Sequence, residues 1–321
     1  MKTVNIGLLG LGNIGTGTYK ALEMNRARIE AVTGLDLRIT RILEVDVTRD
    51  RGIAVDPAKF TQDPSAIFGD PSISIVIELL GGVEPATSFM VDAMNAGKSV
   101  VTANKAALAE NYEILTETAA KNGVSLRFEA SVGGGIPLIA AITESLAANE
   151  FTELQGILNG TTNYILTKMA TEGRDYADVL AEAQAKGFAE ADPTADVEGH
   201  DVANKLSILL SLVFDVRVKP QDIPTTGITD ITKGDIAEAA SQGCVIKLVA
   251  NAARTPDGLL YFIQPTWVNL DHPLASVNNE FNALFLKGNA VDDLTMIGKG
   301  AGPLPTASAV LGDVITIAKG V

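Results

Sequence analysis

The 321-residue sequence contains one cysteine, Cys244, and two histidines, His200 and His272. A single thiol excludes a disulfide framework and fits a reducing compartment, and so small a set of soft ligands argues against a zinc site. Apolar runs are short, none approaching the roughly 18 residues of a membrane span. The opening MKTVNIGLLGLG enters strand-like sequence at once, without the apolar core and cleavage site of a secretory signal. A cytoplasmic location is expected. Cations are also scarce: 25 Lys and Arg face 39 Asp and Glu, for a formal charge of −14, which disfavours nucleic acid and anionic membranes as partners. There is no internal repeat, low-complexity tract or Pro/Ser-rich linker. What is present is a composition 46% hydrophobic and 20% charged, over a length that suggests two globular domains.

From Val4 to about Ala130, short runs rich in Val, Ile and Leu (VNIGLLG, ITRILEVDV, SIVIELL, SVVTA, VSLRFEA) alternate with helical stretches such as PATSFMVDAMNAGK and AALAENYEILTETAAKNG. This alternation predicts βαβ units on a parallel sheet. After GGGIP at 133–137 the pattern changes to longer helices (LIAAITESLAANE, DYADVLAEAQAKG) followed by the strand-like CVIKLVANAAR and LLYFIQPTWV. The expected fold class is therefore α/β, a Rossmann-type doubly wound parallel sheet joined to a second, α+β domain.

GLGNIG at 10–15 matches G-x-G-x-x-G between a buried strand and a helix. In that setting Gly10 makes the turn, Gly12 admits a pyrophosphate and Gly15 allows close helix packing, with Asn13 and Ile14 opening the helix toward the phosphates. The alternative is a plain tight turn. In SVVTANKAAL, Thr102, Asn104 and Lys105 lie where a strand passes into a helix, on the side of an open sheet where ligands bind. A lysine opposes the positive end of a helix dipole, so its placement against local preference marks it as a candidate for function. ELLGG at 78–82, with Gly81, ends the preceding strand on the same side; it reads as part of the nicotinamide path or as a turn needing two glycines. GKS at 97–99 is not a phosphate loop, because the position requiring glycine is Asp92. NGT at 159–161 reads only as a glycosylation sequon without consequence in a cytoplasmic protein.

GFAEADPTADVEGHDVANKL (187–206) gathers Glu190, Asp192, Asp196, Glu198 and Asp201 ahead of Lys205. Runs of this kind are usually solvated loops. Here Val202, Leu206, Leu209 and Val213 mark one buried helix face, while the face carrying Asp201 and Lys205 continues into Ile208 and Leu212. A helix apolar on both sides is enclosed, so the pair is expected in a cleft or interior rather than in bulk water.

Taken together, GLGNIGTGTYKAL, ELLGGVEPA, GKSVVTANKAALA, EASVGGGIPLI, GILNGTTNYILTKM, GFAEADPTADVEGHDVANKLSIL and GAGPLPTASAV resemble the homoserine dehydrogenase family over essentially the whole chain. The resemblance implies NAD(P)-dependent interconversion of L-aspartate 4-semialdehyde and L-homoserine, on the route to threonine and methionine. It implies that Lys105 and Lys205 are the two active-site lysines, that Asp201 orients Lys205, that Glu190 and Asp196 contact the substrate, and that Thr162 faces it. It also implies that the loop EASVGGGIP holds a monovalent cation such as sodium, as in some members, on the backbone carbonyls of Glu129, Val132, Gly134 and Ile136. The last segment is expected to return to the nucleotide domain, giving a division into 1–130 plus 301–321 and 131–300, and the second domain to form a homodimer. Many members have Tyr where this chain has Phe188, and many continue into a regulatory domain where this sequence stops, so feedback through such a module is not expected.

Reducing an aldehyde needs a hydride at carbon and a proton at the developing alkoxide. A lysine can supply the proton if burial or a second cation lowers its pKa from about 10.4 toward 7–8. Two rivals are weaker: a semialdehyde dehydrogenase needs a nucleophilic thiol, and Cys244 reads as packing; a dinucleotide-binding redox sensor has no use for two interior lysines. For the cofactor, Val45 occupies the position where many members have an Arg for the 2′-phosphate, and Asp46 follows. A carboxylate there favours the ribose hydroxyls of NAD. Arg49 and Arg51 argue the other way, and a one-residue shift would make Glu44 decisive. NAD is expected to serve at least as well as NADP.

Overall fold

The computed structural model describes residues 1–320. The chain divides into two compact units: Met1–Gly135 together with the segment from Ala301, and Ile136–Gly300. The first break lies at Gly135/Ile136 rather than the expected 130/131.

In the first unit six strands, β1 (Lys2–Leu9), β2 (Leu35–Leu43), β3 (Phe60–Thr61), β4 (Ile73–Glu78), β5 (Ser99–Thr102) and β6 (Leu126–Arg127), form a parallel sheet in the order β3-β2-β1-β4-β5-β6. This is the doubly wound sheet expected from the alternation. Chain direction reverses its winding between β1 and β4, so the crevice where such sheets bind ligands opens there. In register, Leu9 pairs with both Leu43 and Glu78, and Glu78 with Thr102, which sets these residues in a row along the carboxyl edge. ITRILEVDV is strand only as far as Leu43; the polar Glu44–Asp46 stretch turns away.

Ile6, Leu8, Ile42, Ile75, Ile77 and Val101 form the core of this sheet. Each such side chain contributes about 1.5–3 kcal/mol on burial. Ala307, Val310, Leu311 and Val314 of the helix Pro303–Lys319 join the same cluster, because the returning helix presents one apolar face to it. Its approach is close enough that a Cβ on Gly17 would lie 2.5 Å from the Pro303 carbonyl oxygen.

The second unit is built on an antiparallel sheet of β7 (Phe151–Ile157), β8 (Cys244–Thr255), β9 (Gly258–Asn269), β10 (Phe281–Gly288) and β11 (Asp292–Lys299), ordered β11-β10-β7-β8-β9. Helices Gly160–Glu172, His200–Val213 and Lys233–Ser241 pack on β8. The helix expected over LIAAITESLAANE forms only from Leu138 to Ala140, then widens into a π-turn over Ala141–Ser145. Among the described residues no helix is long and apolar enough to cross a membrane.

Candidate active site

In the first unit the glycine loop joins β1 to the helix Asn13–Thr33. Gly10 has φ +90°, a value L-residues avoid, and a Cβ there would lie 2.9 Å from the Leu79 carbonyl oxygen. On Gly15 it would lie 2.2 Å from the Gly10 oxygen, whereas on Gly12 it would meet nothing within 4 Å. Two of the glycines are thus required by packing and the middle one is not. Gly12 is also the N-cap of the helix, with no side-chain cap and no acid in the first turn, so the helix presents its first N–H groups without a competing anion. These residues fit the diphosphate of a dinucleotide.

Beside the loop, the Leu11 amide donates to Glu44 Oε2 at 2.9 Å, and Arg51 Nε donates to the Leu11 carbonyl at 2.7 Å. The Arg51 guanidinium also donates to the Asp46 and Arg49 carbonyls and pairs with Glu44 at 3.2 Å. Asp46 is exposed and turns back on its own loop, accepting from Thr48 and the Arg49 amide, bonds that hold its carboxyl below the usual range. Of the two acids weighed from sequence, Glu44 is the one that touches the glycine loop.

Along the same edge, Glu78 is fully buried. Its Oε1 accepts from the Leu80 amide at 2.6 Å and its Oε2 from the Thr102 hydroxyl at 2.5 Å. Thr102 Oγ1 in turn accepts from the Asn104 amide at 2.9 Å, and Asn104 Nδ2 donates to the carbonyls of Leu80 and Gly82 at 3.3 and 2.8 Å. Asn104 Oδ1 caps the helix Lys105–Asn122 by accepting from the Ala107 amide. Lys105 is the half-buried first residue of that helix, and Gly81 lies exposed in the 79–82 loop. Burial pushes the Glu78 carboxyl above its ordinary range, against the pull of its hydrogen bonds.

In the second unit a comparable cap organises charge. Asn159 precedes the helix Gly160–Glu172, and its Oδ1 accepts from the Thr162 amide at 2.9 Å. The Thr162 hydroxyl turns back to Asn159 as well. Asn159 Nδ2 donates to Asp196 at 2.7 Å and to Asp201 at 2.9 Å. Asp201 and Lys205 share one face of the helix His200–Val213; Lys205 Nζ donates to Asp201 Oδ2 at 2.8 Å and to the Leu158 carbonyl at 2.6 Å, and both side chains are buried. Gly199, at φ +84°, turns the chain just before this helix, which lets Asp196 and Asp201 converge. Burial is the main cause of a raised pKa at Asp196, offset by Asn159 and reinforced by the neighbouring Asp201 charge.

The remaining carboxylates of the 187–206 stretch disperse. Asp192 accepts from Thr194, Glu198 accepts from Thr229, and Glu190 is exposed. In the EASVGGGIP loop, Glu129 and Val132 are buried and Gly134 has φ +58°, with the Glu129 amide donating to Asp313 at 2.9 Å. Ile136 opens the second unit, where its carbonyl accepts from the Leu138 amide at 2.8 Å.

Two residues central to this geometry were not singled out from the sequence. From the sequence Asn159 reads as part of a sequon, although Asn directly before a helical stretch is itself a capping signal. Glu78 was read only as the end of a strand. A third buried polar group, Lys247 on β8, donates to the Val277 carbonyl at 2.6 Å and to Asn163 and Asn278 at 3.1 Å each. Desolvation lowers its pKa to about 8.

Comparison with known proteins gives this geometry its context. Residues 10–129 match the sequence model described as the NAD binding domain of homoserine dehydrogenase, and residues 137–315 match that of homoserine dehydrogenase itself. A homoserine dehydrogenase from Synechocystis is 44% identical over 98% of this chain and 73% of its own length. The crystal structure of a homoserine dehydrogenase from Thiobacillus denitrificans superposes with a TM-score of 0.95 at 40% identity, over 99% of this chain and 74% of that one. A hyperthermophilic archaeal homoserine dehydrogenase in complex with NADPH superposes at 0.83 with 25% identity, over 99% and 98%. With both halves matched by the same family's models, this chain belongs to the homoserine dehydrogenases, oxidoreductases that act on a CH–OH group and carry an NAD(P)-binding domain.

Proposed function

We propose that the chain interconverts L-homoserine and L-aspartate 4-semialdehyde with Lys205 as the proton-transfer residue. The observation that carries this reading is the buried Asp201–Lys205 pair, held together with Asp196 by the single side chain of Asn159. A bound nicotinamide supplies hydride chemistry. The rest falls to the chain. Asp201 and the Leu158 carbonyl fix the direction of Lys205 Nζ, so that its amine can take the proton of the substrate hydroxyl during oxidation and return it to the carbonyl oxygen during reduction. Asp196 pairs the ammonium of the amino acid with the exposed Glu190 as its expected second anchor, Thr162 lies at the helix start beside Asn159, and Lys105 is the cation on the cofactor side. Reduction of NAD(P)⁺ driven by L-homoserine, with L-threonine and L-malate as controls, tests the reading. No homoserine-dependent reduction would overturn it.

The same reading extends to the cofactor. Glu44 faces the glycine loop, and the Arg51 guanidinium is engaged by Glu44 and three carbonyls, which supports use of NAD(H) at least as well as NADP(H). Comparison of kcat/KM for the two cofactors decides it, and a more than tenfold preference for NADP would contradict it. A monovalent cation such as sodium is proposed at the Glu129, Val132, Gly134 and Ile136 carbonyls, supported by the buried acids Glu129 and Asp313 beside that loop. A homodimer through the second unit is supported by the exposed Leu260, Trp267 and Leu270 on and beside β9. A sedimentation mass of one 33.6 kDa chain would contradict the dimer. The lone cysteine supports a cytoplasmic location.

A further inference from the structure

We propose that Glu78 is a positioning residue for the reaction: its carboxylate closes a hydrogen-bonded circuit through Leu80, Asn104 and Thr102 that fixes the 79–82 loop against the first turn of the helix bearing Lys105. The proposal rests on the reading above, in which that loop lies along the nicotinamide path and Lys105 belongs to the site.

The circuit is closed on every side. Glu78 accepts from Leu80 and Thr102, Thr102 accepts from the Asn104 amide, and the Asn104 side chain donates back to Leu80 and Gly82. Two donors, one a backbone N–H and one a hydroxyl, converge on the two oxygens of one side chain. Only a carboxylate offers an acceptor to both. An amide would turn an N–H toward Thr102 Oγ1, leaving the threonine proton without its acceptor and forcing Thr102 to rotate, which breaks the bond to Asn104. Simple satisfaction of a strand end does not need a charge, and a neutral Ser or Asn can cap an N–H at far smaller desolvation cost. Glu78 is nevertheless an acid at 0% exposure with no cation acting on it among the described residues, and its pKa is raised accordingly. Its place is the carboxyl end of β4, beside the β1/β4 crevice, opposite Thr102 and next to Leu9 in register. Groups held against their preference at such a place are expected where the geometry serves the site.

Glu78→Gln in the full chain tests this. The expected result is a fall in kcat of tenfold or more, with the Kd for NADH (fluorescence quenching) and the KM for homoserine changed less than threefold, and with Tm within a few degrees of the parent. A lowered Tm with unchanged kcat per folded molecule would show a merely structural role. Loss of NADH binding in step with kcat would show a cofactor contact instead. Either result overturns the proposal. A readout independent of turnover is the rate at which Lys105 is reductively methylated, followed by mass spectrometry with the exposed Lys287 as internal control. A change of threefold or more at Lys105 alone supports the circuit, and equal rates sink it, even if the parent chain proves inactive on homoserine and the functional reading itself fails. Should Glu78→Gln not fold, Thr102→Val opens the same circuit at one bond and is held to the same Lys105 methylation outcome.

Discussion

The two units use one local device for two purposes. Asn104 and Asn159 both cap a helix with Oδ1 and extend Nδ2 away from it, yet Asn104 reaches backbone carbonyls of the 79–82 loop whereas Asn159 reaches the carboxylates of Asp196 and Asp201. A neutral amide on neutral carbonyls fixes where a loop runs. The same amide on two acids also moderates their mutual repulsion and decides which oxygens remain for other donors. A hydrogen bond to a charged group contributes about 1.5–3 kcal/mol, against roughly 0.5–1.5 for a neutral one. The first unit is therefore organised for shape and the second for charge.

The largest effect belongs to the charge side. Lys205→Ala is expected to lower kcat by about 10²–10⁴-fold while the Kd for NADH hardly moves, because the variant removes the proposed proton-transfer group and leaves the nucleotide loop alone. Near-native turnover would remove the second unit's claim to the chemistry. Next, Asn159→Ala should reduce kcat/KM for homoserine by roughly 10–100-fold and lose a helix cap worth about 1 kcal/mol, whereas Asn104→Ala should lose a similar cap but act chiefly through kcat. Identical kinetic signatures for the two would erase the contrast between the units.

A smaller effect is read from pH. The Asp196 carboxyl titrates above its ordinary 3.8, so it loses charge, and with it the proposed partner of the substrate ammonium, earlier than a normal Asp as pH falls. The KM for homoserine should climb on the acid side, and Asp196→Asn should flatten that climb while raising KM at neutral pH by about tenfold, or 1.4 kcal/mol. An acid limb unchanged in the variant would assign it elsewhere.

The smallest change in turnover is expected at Lys247, which lies outside both caps but buries a charge without a carboxylate partner among the described residues. Its folded pKa is about 8, below the ordinary 10.5. Between those values the unfolded chain holds more protons than the folded one, so stability should rise with pH across that window by at most about 3 kcal/mol. Denaturant titrations of the parent and of Lys247→Met at pH 7.5 and 10.5 check this. The parent should gain on the variant at the higher pH, and parallel curves would mean that the amine keeps its ordinary pKa in the folded chain.

Much of this was legible because it was local. Gly10, Gly12 and Gly15 share one turn, and Asp201 and Lys205 are one helical turn apart, so spacing alone placed them. The doubly wound sheet followed for the same reason. Glu78 and Thr102 meet across 24 residues through strand register, and Asn159 reaches Asp201 across 42. No periodicity reports such pairings. The breakdown of LIAAITESLAANE into a π-turn was equally hidden, since a helical pattern of apolar residues does not reveal how wide its turns are. Glu44 and Asp46 differ by two positions in sequence but face different ways because β2 stops at Leu43.

The three glycines of the loop answer to different constraints. Gly10 and Gly15 are required by the fold itself, since any side chain there collides with backbone whether or not anything is bound. Gly12 faces open space, so the fold itself does not require it, and a bound nucleotide is what would. A descendant that abandoned its nucleotide could let Gly12 drift while the outer two stayed fixed. Within this fold, a sequence keeping the first and third glycines around a bulky second would record the loss of the ligand.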